Sequence, residues 1–218
     1  MNVKKIIAVI AVGASLLTAV GCGDKKGSES SYSSNNTSKS ERTAKPTEAW
    51  EDIVPAADGP KLYLSNTTVK AGEIAEITLS VKDAKEKWSM CGIHVTYDNA
   101  LTCQMRDAEK RYIHYSLGDA STYNTASVGM LWEEGLPDVL TENNMGCLFF
   151  TETFDGDWGG DGDIASFYLK VPDDAKSGTV YKLGFYYRDT DRFSNAAGDR
   201  AMEKYVFENW TGGSVTVE

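Results

Sequence analysis

The sequence predicts an all-β fold, a roughly nine-stranded, jelly-roll-type β-sandwich, and three observations carry that expectation. From Pro60 onward, short runs of β-branched and aromatic residues recur between Gly, Asp and Asn punctuation. Several of these runs alternate apolar and polar residues, the period of a strand with one buried and one wet face. No stretch shows a convincing amphipathic helical period. At 218 residues and 41% hydrophobic content the chain has material for one core, which argues against two large domains.

Residues 1–21 read as a leader. Lys4 and Lys5 precede an apolar stretch from Ile6 to Val20 that is too short to span a bilayer comfortably and has no basic residue directly behind it. The stretch ends L-T-A-V-G-C, which resembles the lipobox of bacterial lipoproteins: small Ala19 and Gly21 stand before Cys22, with Ala19 where Leu is commonest. The resemblance implies cleavage before Cys22 and lipid attachment to its sulfur. It places the mature protein on the extracellular face of the bacterial cell membrane. An ordinary signal peptide cut near the same place is the alternative.

Residues 22–58 are rich in Ser, Asn, Thr and Lys and offer almost nothing to bury, so they read as a flexible linker. As a random coil this tether would hold the domain roughly 30 Å from its anchor. Trp50, Ile53 and Val54 either begin the fold or lead into it. The domain itself is expected over 59–218. Its strands are KLYLS (61–65), IAEITLSVK (74–82), WSMCGIHVTY (88–97), LTCQM (101–105), SVGMLWEE (127–134), MGCLFFTETF (145–154), IASFYLKV (164–171), VYKLGFYYR (180–188) and a closing pair around YVF (205–207) and GSVTVE (213–218). In the second run Ala75, Ile77, Leu79 and Val81 face the core, opposite Ile74, Glu76, Thr78, Ser80 and Lys82. In the third, Cys91, Ile93, Val95 and Tyr97 share one face. The polar stretch 107–126 reads as a short helix or an irregular loop.

The formal net charge of −10 belongs to the folded part, because residues 1–59 hold equal numbers of acidic and basic side chains. Such a domain repels phosphate backbones and anionic headgroups, which disfavours nucleic acid and direct membrane-surface partners. Apart from Cys22, the cysteines are Cys91, Cys103 and Cys147, an odd number without metal or redox spacing. Three buried thiols acting as small hydrophobes are expected, with one disulfide and a free thiol as the other arrangement.

The order of segments resembles the cohesin domain, the module of cellulosome scaffolds and bacterial surface proteins that grips dockerins. The landmarks are TVKAGEIAEITLSV, CGIHVTYDNALT, GDIASFYLKVPDDAKSGTVYKLGF and the closing GGSVTV, spread from about Pro60 to Glu218. The resemblance implies that a dockerin lies across the sheet face built from the third, fifth, sixth and eighth strands. Carried over by position, Met90, Gly92, His94 and Thr96 point outward on the third strand. Lys182, Gly184, Tyr186 and Arg188 do so on the eighth, opposite an inward Leu183 and Phe185. On the fifth, Met130, Trp132 and Glu134 share a face, taken as outward; the sixth is apolar on both faces and alternation leaves its outward set open. A desolvated centre of Met90, Trp132 and Tyr186 with His94, Thr96, Lys182 and Arg188 around it is the expected partner-binding set.

Chemistry finds little footing. The segment DGDWGGDGD (155–163) sets out Asp155, Asp157, Asp161 and Asp163 in the manner of a calcium loop, but Ser166 stands where a bidentate Glu is needed, and a Gly-Asp turn is the favoured reading. His94 and His114 lie in no metal-ligand spacing, and there is no nucleophile elbow, P-loop or dinucleotide fingerprint. A non-enzymatic binding protein is therefore expected, without cofactor. The rival class is a carbohydrate-binding module, in which Trp132, Trp158, Trp210, Tyr186 and Tyr187 would form a stacking platform. A third class, a solute-capturing lipoprotein, would show an enclosed pocket instead.

Overall fold

A computed structural model of the chain describes residues 59–84, 88–121 and 125–218. The leader, Cys22, the linker and the Trp50–Val54 segment lie outside the described residues. In chain order the elements are β1 (Lys61–Leu64), β2 (Asn66–Val69), β3 (Ile74–Lys82), β4 (Met90–Asp98), β5 (Thr102–Cys103), β6 (Met105–Asp107), β7 (Tyr112–Ile113), β8 (Tyr115–Leu117) and β9 (Thr125–Trp132). Helix α1 (Asp138–Glu142), β10 (Met145–Phe154), β11 (Gly162–Lys170), β12 (Val180–Tyr186), β13 (Arg192–Ser194), helix α2 (Ala201–Glu208) and β14 (Ser214–Val217) follow.

These strands form two sheets. The smaller runs β1-β3-β11-β5, with β8 also on β11; the larger runs β2-β14-β12-β4-β10-β9-β7-β6, with β13 extending the pairing on β4. Among the described residues the paired strands are antiparallel except β2 with β14, whose register joins Ser214 to Asn66 through Val217 to Val69. The expected sandwich is thus present, with the core between the sheets. Leu62, Ile77, Leu79, Ile93, Val95, Phe150, Phe167, Phe185 and Val215 are all buried there. Each side chain of this kind contributes about 1.5–3 kcal/mol by leaving water.

Trp88 closes one end of the core. Its ring meets Phe154 edge-on at 5.0 Å and Phe193 at 5.2 Å, and its Nε1 donates to the Gly160 carbonyl at 3.1 Å. Gly159 is required at this point, because a Cβ there would collide with the indole. Cys91, Cys103 and Cys147 are free and buried, as small hydrophobes are. Burial pushes the Cys103 and Cys147 thiols up to about 12.

Departures from expectation have local causes. The expected strand at 205–207 is part of α2: Glu203, Val206 and Phe207 are buried at helical spacing, and three β-prone residues in a row conceal that period. Glu203 is held there by Arg200 at 2.7 Å and accepts the Phe193 amide at 3.2 Å. α1 is a second helix, too short to show a period in sequence. The expected strand 101–105 divides between sheets, since β5 pairs with β11 while β6 pairs with β7. The stretch 107–126 holds β7 and β8 where a helix or irregular loop was expected; residues 122–124 lie outside the described residues. β2 and β13 are further strands that composition does not announce.

Candidate functional site

Four strands, β12, β4, β10 and β9, lie side by side in the larger sheet, and their register fixes which side chains share its outer face. Leu183, Tyr97 and Gly146 are partners across β12, β4 and β10, as are Phe185, Val95, Leu148 and Trp132 across all four strands. These point to the core. The intervening rows point out: His94 with Phe149 and Leu131, then Gly92 with Thr151 and Gly129, then Met90 with Thr153 and Ser127.

The outward assignment for β4 and β12 holds in direction, and Leu183 and Phe185 do point inward. Exposure differs. Met90 is 37% exposed and Lys182 is exposed, but His94, Thr96 and Tyr186 are buried although they stand on the outer side. Two features cover them. Leu140 of α1 packs on Cys147 and Tyr186, flanked by Leu136, Val139 and Met145, forming a small second core outside the sheet. The turn between β12 and β13 lays Asp191 over His94, with Nδ1 and Oδ1 2.6 Å apart and both side chains out of solvent. The Phe149 ring packs against the imidazole, ring centroids 4.7 Å apart. Burial raises the Asp191 carboxyl, against the lowering influence of His94 and the Arg188 amide that donates to it. Arg188 is half-buried, pairs with Glu133 at 3.3 Å and lies 6.0 Å over the Tyr186 ring. These contacts tie β9, β12 and the 187–191 turn together.

The expectation for β9 is overturned. Met130 is 1% exposed in the core, and Trp132 faces the same way, its Nε1 donating to the Tyr97 hydroxyl at 3.0 Å. The run SVGMLWEE carries apolar residues in both parities, so alternation alone chose the wrong face; Leu131, Gly129 and Ser127 are the outward set. Glu134 follows the strand, exposed and 3.5 Å from Arg111. Phe149, Leu131 and Gly129 are among the outer-face residues that sequence reasoning did not assign.

What remains open on this face is a half-exposed apolar strip, with Phe149 and Leu131 on one side and Met90 on the other. Between them the row Gly92–Thr151–Gly129 forms a shallow floor. The domain's own packing does not demand these glycines: a Cβ on Gly129 would meet nothing within 4 Å, and one on Gly92 would make ordinary contact with Phe149 at 3.5 Å. Glycine weakens a strand interior and commonly marks close approach by another molecule.

The aspartates of 155–163 do not converge. Asp157 accepts the Ala196 amide, Asp161 the Ala84 amide and Asp163 the Ser80 hydroxyl, each at 2.6 Å, while Asp155 is exposed. Among the described residues no group of three or more His, Cys, Asp or Glu side chains is arranged to hold a metal ion. The aromatic platform of the rival reading does not assemble either. Trp158 is 50% exposed, whereas Tyr186 and Tyr187 are buried and Trp210 stacks on Phe185 at 5.1 Å.

No family model matches the chain, and no curated protein matches it. Solved structures do. One is a type III cohesin module from the cell-surface anchoring scaffoldin ScaE of Ruminococcus flavefaciens, at 24% identity and TM-score 0.60, covering 73% of this chain and 88% of that one. Another is the sixth cohesin of scaffoldin B from Acetivibrio cellulolyticus, solved in complex with a Cel5 dockerin variant, at 17% identity and TM-score 0.52, covering 74% of this chain and 100% of that one. The domain therefore has the cohesin fold.

Proposed function

We propose that this protein is a lipid-anchored surface module that recruits dockerin-bearing proteins, polysaccharide-degrading enzymes foremost, through the outer face of β12, β4, β10 and β9. The observation that carries the reading is the strip of Phe149, Leu131 and Met90 around a glycine floor that the fold itself does not need. An apolar centre of this kind, ringed by polar groups, is what a protein interface uses for affinity. The likeness to a cohesin solved with a dockerin supports the choice of partner. Trp132 is not an anchor in this scheme, since it faces the core; Phe149 takes that place. Lys182 and Arg188 stand at the rim, where charge orients a partner. Function here is recruitment, with Cys22 as the point of membrane attachment.

The test is titration of the full chain against a panel of dockerins from one secreted enzyme set, with cellulose and xylan as parallel ligands. Submicromolar one-to-one binding to a dockerin is the expected result. Binding to polysaccharide alone would overturn the reading. Fatty-acid labelling of cells that express the chain, lost in Cys22→Ala, tests the anchor.

A further inference from the structure

On the opposite side of these strands from the docking face, a cleft of ≈ 400 Å³ opens between the ends of β4 and β9 and the β6–β7 hairpin. Trp132 and Met105 line it, and Asn99, Arg111 and Glu134 stand at its rim. Its volume falls within the range of small-molecule sites. The Trp132 indole N–H is already committed to the Tyr97 hydroxyl, at 3.0 Å, so what Trp132 can offer a ligand is its ring surface. The rim carries one cation and one anion, Arg111 and Glu134, 3.5 Å apart. A ligand with net charge gains at one of these groups and loses at the other, whereas a neutral ligand bearing both donors and acceptors engages both.

A second observation bears on the same place. Arg111 closes the β6–β7 hairpin with φ 59°, a left-handed conformation that Asp83 and Asn144 share and that costs a residue with a side chain about 1–3 kcal/mol. The strained residue is bolted to the aromatic wall, because the Trp132 amide donates to the Arg111 carbonyl at 2.9 Å. That bond fixes the Arg111 backbone beside Trp132, and its guanidinium reaches Glu134 at 3.5 Å.

We propose that this cleft binds a neutral saccharide ring, its C–H face on Trp132 and Met105 and its hydroxyls on Asn99, Arg111 and Glu134. An aromatic wall beside a planar donor–acceptor rim matches the two-sided chemistry of a sugar, apolar across the ring and polar around its edge. The site is independent of the docking face, so either stands if the other fails.

The experiment is a nitrogen-15 NMR titration of the full chain with cellobiose and xylobiose, with galacturonate as the anionic probe. The Trp132 indole resonance is assigned by its loss in Trp132→Phe. Neutral disaccharide should shift it with a dissociation constant of about 1 mM. Glu134→Ala and Arg111→Gly, the latter suited to the left-handed backbone, should each weaken binding by about tenfold while the other indole resonances stay in place. No shift with either neutral sugar, tighter binding of galacturonate, or undiminished affinity in both variants would overturn the proposal.

Discussion

Strands β3 and β4 have the same length and opposite habits. In β3, Ala75, Ile77, Leu79 and Val81 are buried while Ile74, Glu76 and Lys82 are exposed, the alternation of a strand with water on one side. In β4, every residue from Cys91 to Tyr97 is buried. The difference is made outside the sheet, where α1 and the 187–191 turn cover part of the outer face and leave Phe149, Leu131 and Met90 partly open. A sheet whose outer face is already half converted to core needs little more burial to accept a partner. The smaller sheet stays wet, with Thr78 bonded to Ser166 and Lys82 over the Tyr63 ring.

The sharpest way to probe this contrast is to cut neighbouring residues on either side of β10. Phe150 is fully buried, and Phe150→Ala should cost about 3–5 kcal/mol in a urea melt. Phe149→Ala, which loses its contact with His94, should cost about 1 kcal/mol and weaken docking instead. Equal losses of stability at both positions would show that the outer face is simply more core. Next in size is Asp191→Asn, which leaves a single side-chain oxygen where the carboxyl group serves both His94 and the Arg188 amide; a loss of about 1–3 kcal/mol is expected by thermal denaturation. Gly129→Phe comes third. Space above Gly129 is open, so the melting midpoint should hold while docking weakens at least about tenfold, or 1.4 kcal/mol. Glu76→Ala on the wet face should change neither quantity, and unaltered docking by Gly129→Phe would move the interface elsewhere.

A smaller effect concerns the inner side of β10. Glu152 is fully buried and accepts the Ser121 and Thr125 hydroxyls at 2.8 and 2.9 Å. Burial raises its carboxyl above the ordinary value of 4.5, despite the lowering effect of those two bonds. Because the folded state holds the proton more tightly, the stability this provides is full below the unfolded value and is lost as pH rises through the folded one. Glu152→Gln should flatten the fall in stability as pH rises above about 4.5, leaving the contribution of Asp191, which has the same sign. Urea midpoints between pH 4 and 8 read this directly, and an unchanged slope would remove Glu152 from the account.

How much of this was legible follows from the same contrast. IAEITLSVK and MGCLFFTETF matched β3 and β10 residue for residue, since alternation or sheer apolar density marks them. Leu183 and Phe185 face the core as expected, because Lys182 before them and Gly184 between them break the apolar run. The face of β9 was lost because Val128, Met130 and Trp132 compete with Leu131, and periodicity cannot choose between two covered sides. The cover over His94 was invisible in sequence for a different reason: Asp191 lies 97 residues away, and nothing local links the two. α2 is hidden because Tyr205, Val206 and Phe207 are β-prone in a row and its inward set includes a charged residue, Glu203, paired with the N-cap Arg200.

The parallel pairing of β2 with β14 has a mechanical consequence. The strand that begins near the start of the domain is clamped along its whole length by the strand that ends it, through four registered residue pairs running in the same direction. A force that slides β2 and β14 past one another loads all four pairs together in shear, whereas one that peels them apart breaks the pairs one rung at a time.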